Sequence, residues 1–294
     1  MQAFVKHILK IGLILFVSAY VLDFFYTKAF LKSAPITKFQ NFRAFKNNEI
    51  DYVFLGSSRV ENTIMPNIIE KKTKKITMNF GFQASKMSDI YLILQLLDEY
   101  GIKYKKVFVQ IDHHFSIENE YSIPLNKQIL PYLNESNIIS KNCKSNDYIS
   151  YMIFKYIPFL KYSIQSNSFS FRNVCSNLFK KPKAFHIKNG YTSLGNYKKQ
   201  KDFELPLAIS SKNKFYDSIV NYTKKRRKEV VFYTAPFRIS GTNLSFMKEL
   251  NLNVANLNDF SKAVKNDKYF HDNVHLNDEG AVVFTNVLIE KLKL

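Results

Sequence analysis

Asp51-Tyr-Val-Phe-Leu-Gly-Ser-Ser-Arg-Val60 is the stretch that decides the fold. Its first six residues are short and mostly apolar, the length of one buried strand, and they end in small residues. A strand that stops at Gly-Ser-Ser and turns into a helix leaves a hydroxyl clear of the backbone at the sheet edge. Alone, the same residues describe an ordinary turn or helix N-cap equally well.

Working outward, the pattern repeats. Pro66 to Lys72 reads as a helix with proline in its first turn, and Lys75 to Phe80 as a second strand. Met87, Ile90, Tyr91, Leu94 and Leu97 recur at helical spacing, so Lys86 to Tyr100 is an amphipathic helix. Lys106 to Ile111 is a third strand. After an interruption come a helix over Lys212 to Lys228, a strand over Glu229 to Thr234, a helix over Thr242 to Leu250 and a short strand over Leu252 to Leu257. Asn277 caps a last helix whose apolar face includes Ala281, Phe284, Val287 and Leu288. Alternating strands and helices predict an α/β domain with a central parallel sheet, in the order 2-1-3-4-5, covered on both faces. Chemistry in such sheets gathers beyond the carboxyl ends of the strands. That places attention on Gly56 to Arg59, Gly81 to Ser85, Asp112 to His114, Pro236 to Arg238 and the loop before Asn277.

Two regions stand apart from this rhythm. Residues 1–33 hold an apolar run from Ile11 to Leu22, led by Lys6 and Lys10 and followed by Phe24, Phe25 and Tyr26. Counted from Phe4 to Phe30, with the lysines snorkelling, it reads as a single-pass signal anchor. The leading lysines favour a cytoplasmic N-terminus and so an extracytoplasmic chain beyond it. Residues 34–50 read as a linker and 51–294 as the catalytic domain. Ser116 to Ser211 reads as an inserted, mostly helical cap after strand three.

The formal net charge is +19. It fits either a functional basic face for anionic partners or the Lys- and Asn-rich drift of an AT-rich genome. The run Lys224-Lys-Arg-Arg-Lys228 reads as a solvated helix end whose cations complement the dipole, so no nucleic-acid partner is expected. Cys143 and Cys175 form no metal-ligand spacing, and either pair or stay as buried thiols. Neither a metal nor another cofactor is expected. His113 and His114 make a poor metal pair if the chain is extended there, because neighbours then point to opposite sides.

The chemistry sits in two segments. Ser58 follows strand one, and a serine needs a base to become a nucleophile. Phe270-His-Asp-Asn-Val-His-Leu-Asn-Asp-Glu-Gly280 places Asp272 three residues before His275, ahead of the last helix. In a short loop that spacing lets the carboxylate orient the imidazole and stabilise its protonated form.

Together the segments resemble the SGNH, or GDSL-like, hydrolase superfamily. Gly56-Ser57-Ser58 is similar to its first block, and Asp272-Asn-Val-His275-Leu-Asn-x-x-Gly280 to its last. Asn79-Phe-Gly81 looks like the second block. The resemblance implies a flavodoxin-like fold with Ser58, His275 and Asp272 as nucleophile, base and orienter. It implies an oxyanion hole from the N–H groups of Ser58 and Gly81. Where the family commonly has Gly-x-Asn-Asp, this chain has Ile111-Asp-His-His-Phe115, so either His114 is the third donor, or Asp112 only caps a turn and His113 and His114 pack under the insertion. The Gly-Ser-Ser-Arg form and the N-terminal anchor resemble a membrane-tethered branch. That branch includes the D-alanyl-transfer proteins of teichoic acid modification and the alginate-type O-acetylation proteins. The implied activity is esterase or O-acyltransferase chemistry on a surface polysaccharide, with a multi-span acyltransferase as partner. Arg59 and Arg238 are candidates for holding an anionic substrate, or are structural. A lipid or small-ester hydrolase, and a silent glycan-binding domain, are the competing readings.

Overall fold

The computed structural model describes residues 1–164, 188–196, 202–240 and 242–294. Along the chain come helices α1 (Gln2–Lys32) and α2 (Lys38–Ala44), strand β1 (Glu49–Gly56), α3 (Ser58–Glu61), α4 (Pro66–Thr73), β2 (Thr77–Gly81), α5 (Met87–Glu99) and β3 (Lys103–Gln110). They are followed by α6 (Ile123–Ile129), α7 (Asn137–Asn146), α8 (Tyr148–Tyr156), α9 (Leu160–Ser163), α10 (Lys214–Lys225), β4 (Glu229–Tyr233), α11 (Phe246–Asn253) and α12 (Asp278–Lys291). These elements divide into two compact units. One comprises Asn41–Leu125 with the described part of Ile187–Leu294, the other Met1–Gln40 with the described part of Asn126–His186.

The first unit is an α/β fold around a parallel sheet of order β2-β1-β3-β4. Its central strand is buried from Val53 to Gly56, which is why it reads as a continuous apolar run rather than an alternating one. Phe54 stacks on Phe108 of β3, with ring centroids 4.4 Å apart and planes at 11°. Those two rings anchor a core shared with Val60 and Ile64 after α3 begins, Ile69 of α4, and Phe284 and Leu288 of α12. The side chains alternating with them on β1 and β3, Val53 and Val107 among them, are also fully buried. Helix α5 packs along β1 and β3. This is the flavodoxin-like arrangement the alternation predicts.

The expected fifth strand does not form. Helix α11 runs on to Asn253, and Asn256 takes a left-handed φ of 55°. What remains of sheet pairing is one parallel bridge between Tyr233 and Asn258. There the Asn258 N–H donates to Phe232 O at 2.9 Å, and the Thr234 N–H donates to Asn258 O at 3.1 Å. Around the bridge, Asn251 Nδ2 turns back to Met247 O at 2.9 Å, and Asn253 Nδ2 reaches Ser210 O at 3.0 Å.

Helix α5 begins at a buried carboxylate. Asp89 accepts the Lys86 N–H at 2.8 Å and the Ser122 N–H at 2.9 Å. Burial nonetheless outweighs those bonds and raises its carboxyl to about 6. The folded state therefore holds this proton more tightly than the unfolded chain, so stability is lost as pH rises from about 4 to about 6. Chemical denaturation across that window should show Asp89→Asn removing a fall of roughly 2–3 kcal/mol. An unchanged pH slope in the variant would exclude Asp89 as its source.

The second unit gathers around the far end of α1. That helix is 31 residues long, apolar enough to cross a membrane, and exposed from Phe4 to Phe25 on its large apolar side chains. Only Tyr26, Ala29 and Phe30 are buried. Phe30 meets Tyr132, and Tyr26 meets Phe159 with centroids 4.9 Å apart. The segment 34–50 carries α2 and the start of β1, and Phe39 and Phe42 are fully buried there. Phe39 packs on Tyr132 in this unit, and Phe42 on Phe80 in the sheet unit. Among the described residues, 116–211 supplies helices and no sheet strand. Residues 188–196 pack within the sheet unit, where Tyr191 Oη donates to Asp278 at 2.7 Å and the Thr192 N–H donates to Glu61 O at 3.0 Å. Cys143 is buried in α7, and burial pushes its thiol up to about 12. Cys175 lies outside the described residues.

Candidate active site

The turn after β1 sorts its two serines. Ser57 points inward and caps α3, its Oγ accepting the Arg59 N–H at 3.2 Å. Its own N–H and hydroxyl both reach Gln110 Oε1 at 3.1 Å. Gly56 must be glycine for this to happen: a Cβ there would stand 2.7 Å from Gln110 Oε1 and 2.4 Å from Val60 Cγ2. With Ser57 held, Ser58 is left facing out of the sheet edge, and its Oγ lies 2.8 Å from His275 Nε2.

His275 is held from behind. Its Nδ1 lies 2.9 Å from Asp272 Oδ2 and 3.0 Å from Oδ1. Asp272 Oδ1 also accepts the N–H groups of Val274 at 2.9 Å and His275 at 2.8 Å. The loop closes on itself as the His271 N–H donates to His275 O at 2.9 Å, and Asn277 Oδ1 then caps α12 by accepting the Gly280 N–H. Burial opposes the charge on Asp272, but the imidazole and these N–H donors more than offset it and hold the carboxyl below its ordinary range. The partners assign the tautomer: Nδ1 carries the proton toward Asp272 and Nε2 accepts from Ser58. Ser58, His275 and Asp272 thus meet as the sequence predicts, although 214 residues separate the serine from the carboxylate in the chain (272 − 58).

These groups open into a pocket of about 360 Å³, lined also by Gln83, Ala84, Lys86, His114 and Phe203. Phe203 went unread in the sequence. Its ring stands edge-on to His275 with centroids 5.6 Å apart, and its backbone is bound to the side chain of Asn273. No local pattern marks a lone phenylalanine that becomes a wall only when two distant loops meet.

One expected role is corrected, and two open ones resolve to structure. Gly81 does not offer its N–H to the pocket, because that group donates to Asn79 Oδ1 at 3.0 Å. Asn79 in turn donates to Val60 O and Ile64 O. Gly81 is needed for close packing: a Cβ would sit 2.6 Å from the Glu61 nitrogen. Among the described residues, the N–H groups of Ser58, Gln83 and Ala84 take no acceptor, and Ala84 holds a left-handed φ of 56° in the turn after β2. Arg59 is not available to a substrate, being 1% exposed. Its Nη2 donates to Ala235 O at 2.5 Å and Pro236 O at 2.9 Å, and its guanidinium lies 3.5 Å from the Phe237 ring centroid. Burial lowers it to about 10, so it stays a cation beside Asp112, with Nε 3.5 Å from Oδ2. Arg238 pairs with Asp202, and its N–H holds Asn273 O at 3.0 Å, so it braces the histidine loop.

The third block forms a 3-10 turn, His113–Ser116, rather than extended chain. The two histidines therefore lie side by side, with centroids 3.9 Å apart. His113 packs toward Phe237 and Phe246, and burial drives its imidazole down to about 3, hence neutral. His114 is the more exposed of the pair and lines the pocket with Ser58. Their Nδ1 atoms and Asp112 form a set that can reach one cation. The Arg59 guanidinium already occupies the other side of that carboxylate, which disfavours adding a dication. Of the basic run, Arg226 pairs with Asp98 and Lys228 donates to Tyr104 O at 2.8 Å.

No family model matches the chain, and no curated protein matches it. A solved structure described as "a putative platelet activating factor from Streptococcus pneumonia" is similar to it at 12% identity, over 98% of this chain and 99% of that one. The TM-score is 0.33, too loose a likeness for anything to be carried across.

Proposed function

We propose that this chain is a membrane-anchored SGNH-type serine esterase or O-acyltransferase working through an acyl-Ser58 intermediate. The observation that carries the reading is the 2.8 Å contact of Ser58 Oγ with His275 Nε2, backed by Asp272 on the other nitrogen. In the proposed cycle His275 takes the Ser58 proton as Oγ bonds to the ester carbonyl carbon. The tetrahedral oxyanion is met by the N–H of Ser58 and by those of Gln83 and Ala84 across the pocket. The alcohol leaves with the proton from His275, and Ser58 keeps the acyl group. Water then completes hydrolysis, or a sugar hydroxyl completes transfer.

The acceptor in this reading is a cell-surface polysaccharide, and a multi-span acyltransferase is the partner that delivers the acyl group. Helix α1 anchors the chain, with Lys6 and Lys10 on the cytoplasmic side and the triad outside. A second reading, a silent glycan-binding domain, draws support from Gly81, whose N–H is spent on Asn79. A fluorophosphonate probe separates the two. Peptide mass spectrometry should find the adduct on Ser58, and its absence from the folded protein would favour the silent domain.

A further inference from the structure

Helix α8 presents a stripe of large apolar side chains that none of the described residues of its unit covers. Tyr148, Ile149, Met152, Ile153 and Tyr156 lie on one side and are exposed by 55, 72, 37, 36 and 60%. Their spacing repeats every four residues, so they share one helical face. Tyr151 on the other side is buried, its hydroxyl 3.2 Å from Ser140 Oγ. A contiguous apolar face of this kind marks an interaction surface.

The attachment of the following segment says what covers it. Directly after α8, the Phe159 N–H donates to Asp23 Oδ1 of α1 at 3.0 Å. The Lys161 ammonium, itself buried, reaches the same carboxylate at 3.1 Å. Tyr162 Oη lies 2.7 Å from Thr27 Oγ1. Phe159 holds a left-handed φ of 67°, unfavourable for so bulky a residue, and these contacts fix it there. The anchor's exposed apolar stretch runs from Phe4 to Phe25. At 1.5 Å per residue that is about 33 Å, close to the ~30 Å hydrocarbon thickness of a bilayer. Asp23 therefore marks the distal edge of the span. The end of α8, three residues before Phe159, lies within roughly 10 Å of that edge by chain length alone.

We propose that α8 lies in the interface of the bilayer that α1 crosses, its apolar face in the lipid. The tyrosines suit the headgroup level, where an amphipathic ring keeps its hydroxyl wet. Lys144 lies 5.8 Å from the Tyr148 ring and Lys155 5.8 Å from the Tyr156 ring, so cations flank the stripe. The occupant is thus a lipid surface with anionic headgroups. Anchor and interfacial helix together give this unit two attachments to one membrane, through contacts made inside the unit.

The inference rests on α1 being a membrane anchor, and the experiment separates the two. The chain contains no tryptophan, so an introduced one is the sole reporter. Full-length Ile149→Trp, Ile153→Trp and Leu15→Trp would each be placed in single-chain nanodiscs containing anionic lipid. Each would be compared in ordinary lipid, in lipid brominated high on the acyl chain and in lipid brominated near the chain end. Leu15→Trp should be quenched by bromine, which tests the anchor. Ile149→Trp and Ile153→Trp should be quenched as well, with blue-shifted emission. Quenching at Leu15 alone would overturn the proposal while leaving the anchor standing. No quenching at Leu15 would remove both. Blue-shifted emission at Ile149 without bromine quenching would give the face to protein instead, and overturn it too.

Discussion

Ser58→Ala should reduce turnover of a simple acetyl ester such as p-nitrophenyl acetate by at least about 10⁴-fold. The substitution removes the hydroxyl that lies 2.8 Å from His275 Nε2 and disturbs little else. Ser58 is partly exposed, and its hydroxyl is not the cap of α3, so folding stability should change by no more than about 1 kcal/mol. The neighbouring serine makes the discriminating control. Ser57→Ala removes the α3 cap and leaves Gln110 Oε1 without the hydroxyl it accepts. It should cost about 1–2 kcal/mol of stability while leaving the nucleophile in place. Measured side by side, Ser58→Ala should be stable and inactive, and Ser57→Ala less stable and active. Equal activity in Ser58→Ala and the parent would end the esterase reading, whatever the geometry of the loop.

That contrast also locates what sequence can and cannot disclose. Gly-Ser-Ser after an apolar run announces a turn, and the last block announces a loop aimed at it. Both are local, because backbone spacing sets which side chains can meet. The choice between Ser57 and Ser58 is visible in the structure as Gln110 arriving from β3 to claim Ser57. Nothing near residue 57 encodes that arrival. Gly81 failed as an oxyanion donor for the same reason. Its neighbour Asn79 uses its side-chain oxygen on the Gly81 N–H and its amide on Val60 O and Ile64 O, a network closed only when β2 meets α3.

Arg59 and Arg238, left open between substrate handle and structural role, fall to the structural side. A basic residue beside a nucleophile looks like a substrate handle, but burial decides. Arg59 bonds backbone carbonyls after β4 and stacks on Phe237, so it joins the ends of two strands. The fifth strand was expected on the apolar Leu252, Val254 and Leu257, but α11 runs on to Asn253 and Asn256 takes a left-handed φ of 55°, so no extended run is left to pair. At the third block the turn reading holds over an extended one, and His113 and His114 lie side by side. Asp112 caps that 3-10 turn, its Oδ1 accepting the His114 N–H at 3.0 Å.

Asp272→Asn should cost about 10⁴-fold in turnover, less than His275→Ala. The carboxylate accepts from Nδ1 of His275 and from two backbone N–H groups. An asparagine oxygen can still satisfy the backbone donors, so the loop should keep its shape. The amide nitrogen, however, can only donate, and it favours the imidazole tautomer whose Nε2 carries the proton. That nitrogen then has no lone pair with which to take the Ser58 proton. Nor can a neutral amide stabilise the positive charge that develops on the ring. Stability gives an independent check with a defined sign. Because the Asp272 carboxyl is held below its ordinary range in the folded state, its ionised form contributes stability above about pH 4. That contribution is lost as pH falls through the lower folded value. Denaturation of the parent and Asp272→Asn should therefore differ most near neutrality and converge in acid, the opposite slope to the Asp89 effect. Divergence that grows on acidification would mean the carboxylate is not held by its imidazole, and the triad would lose its orienting member.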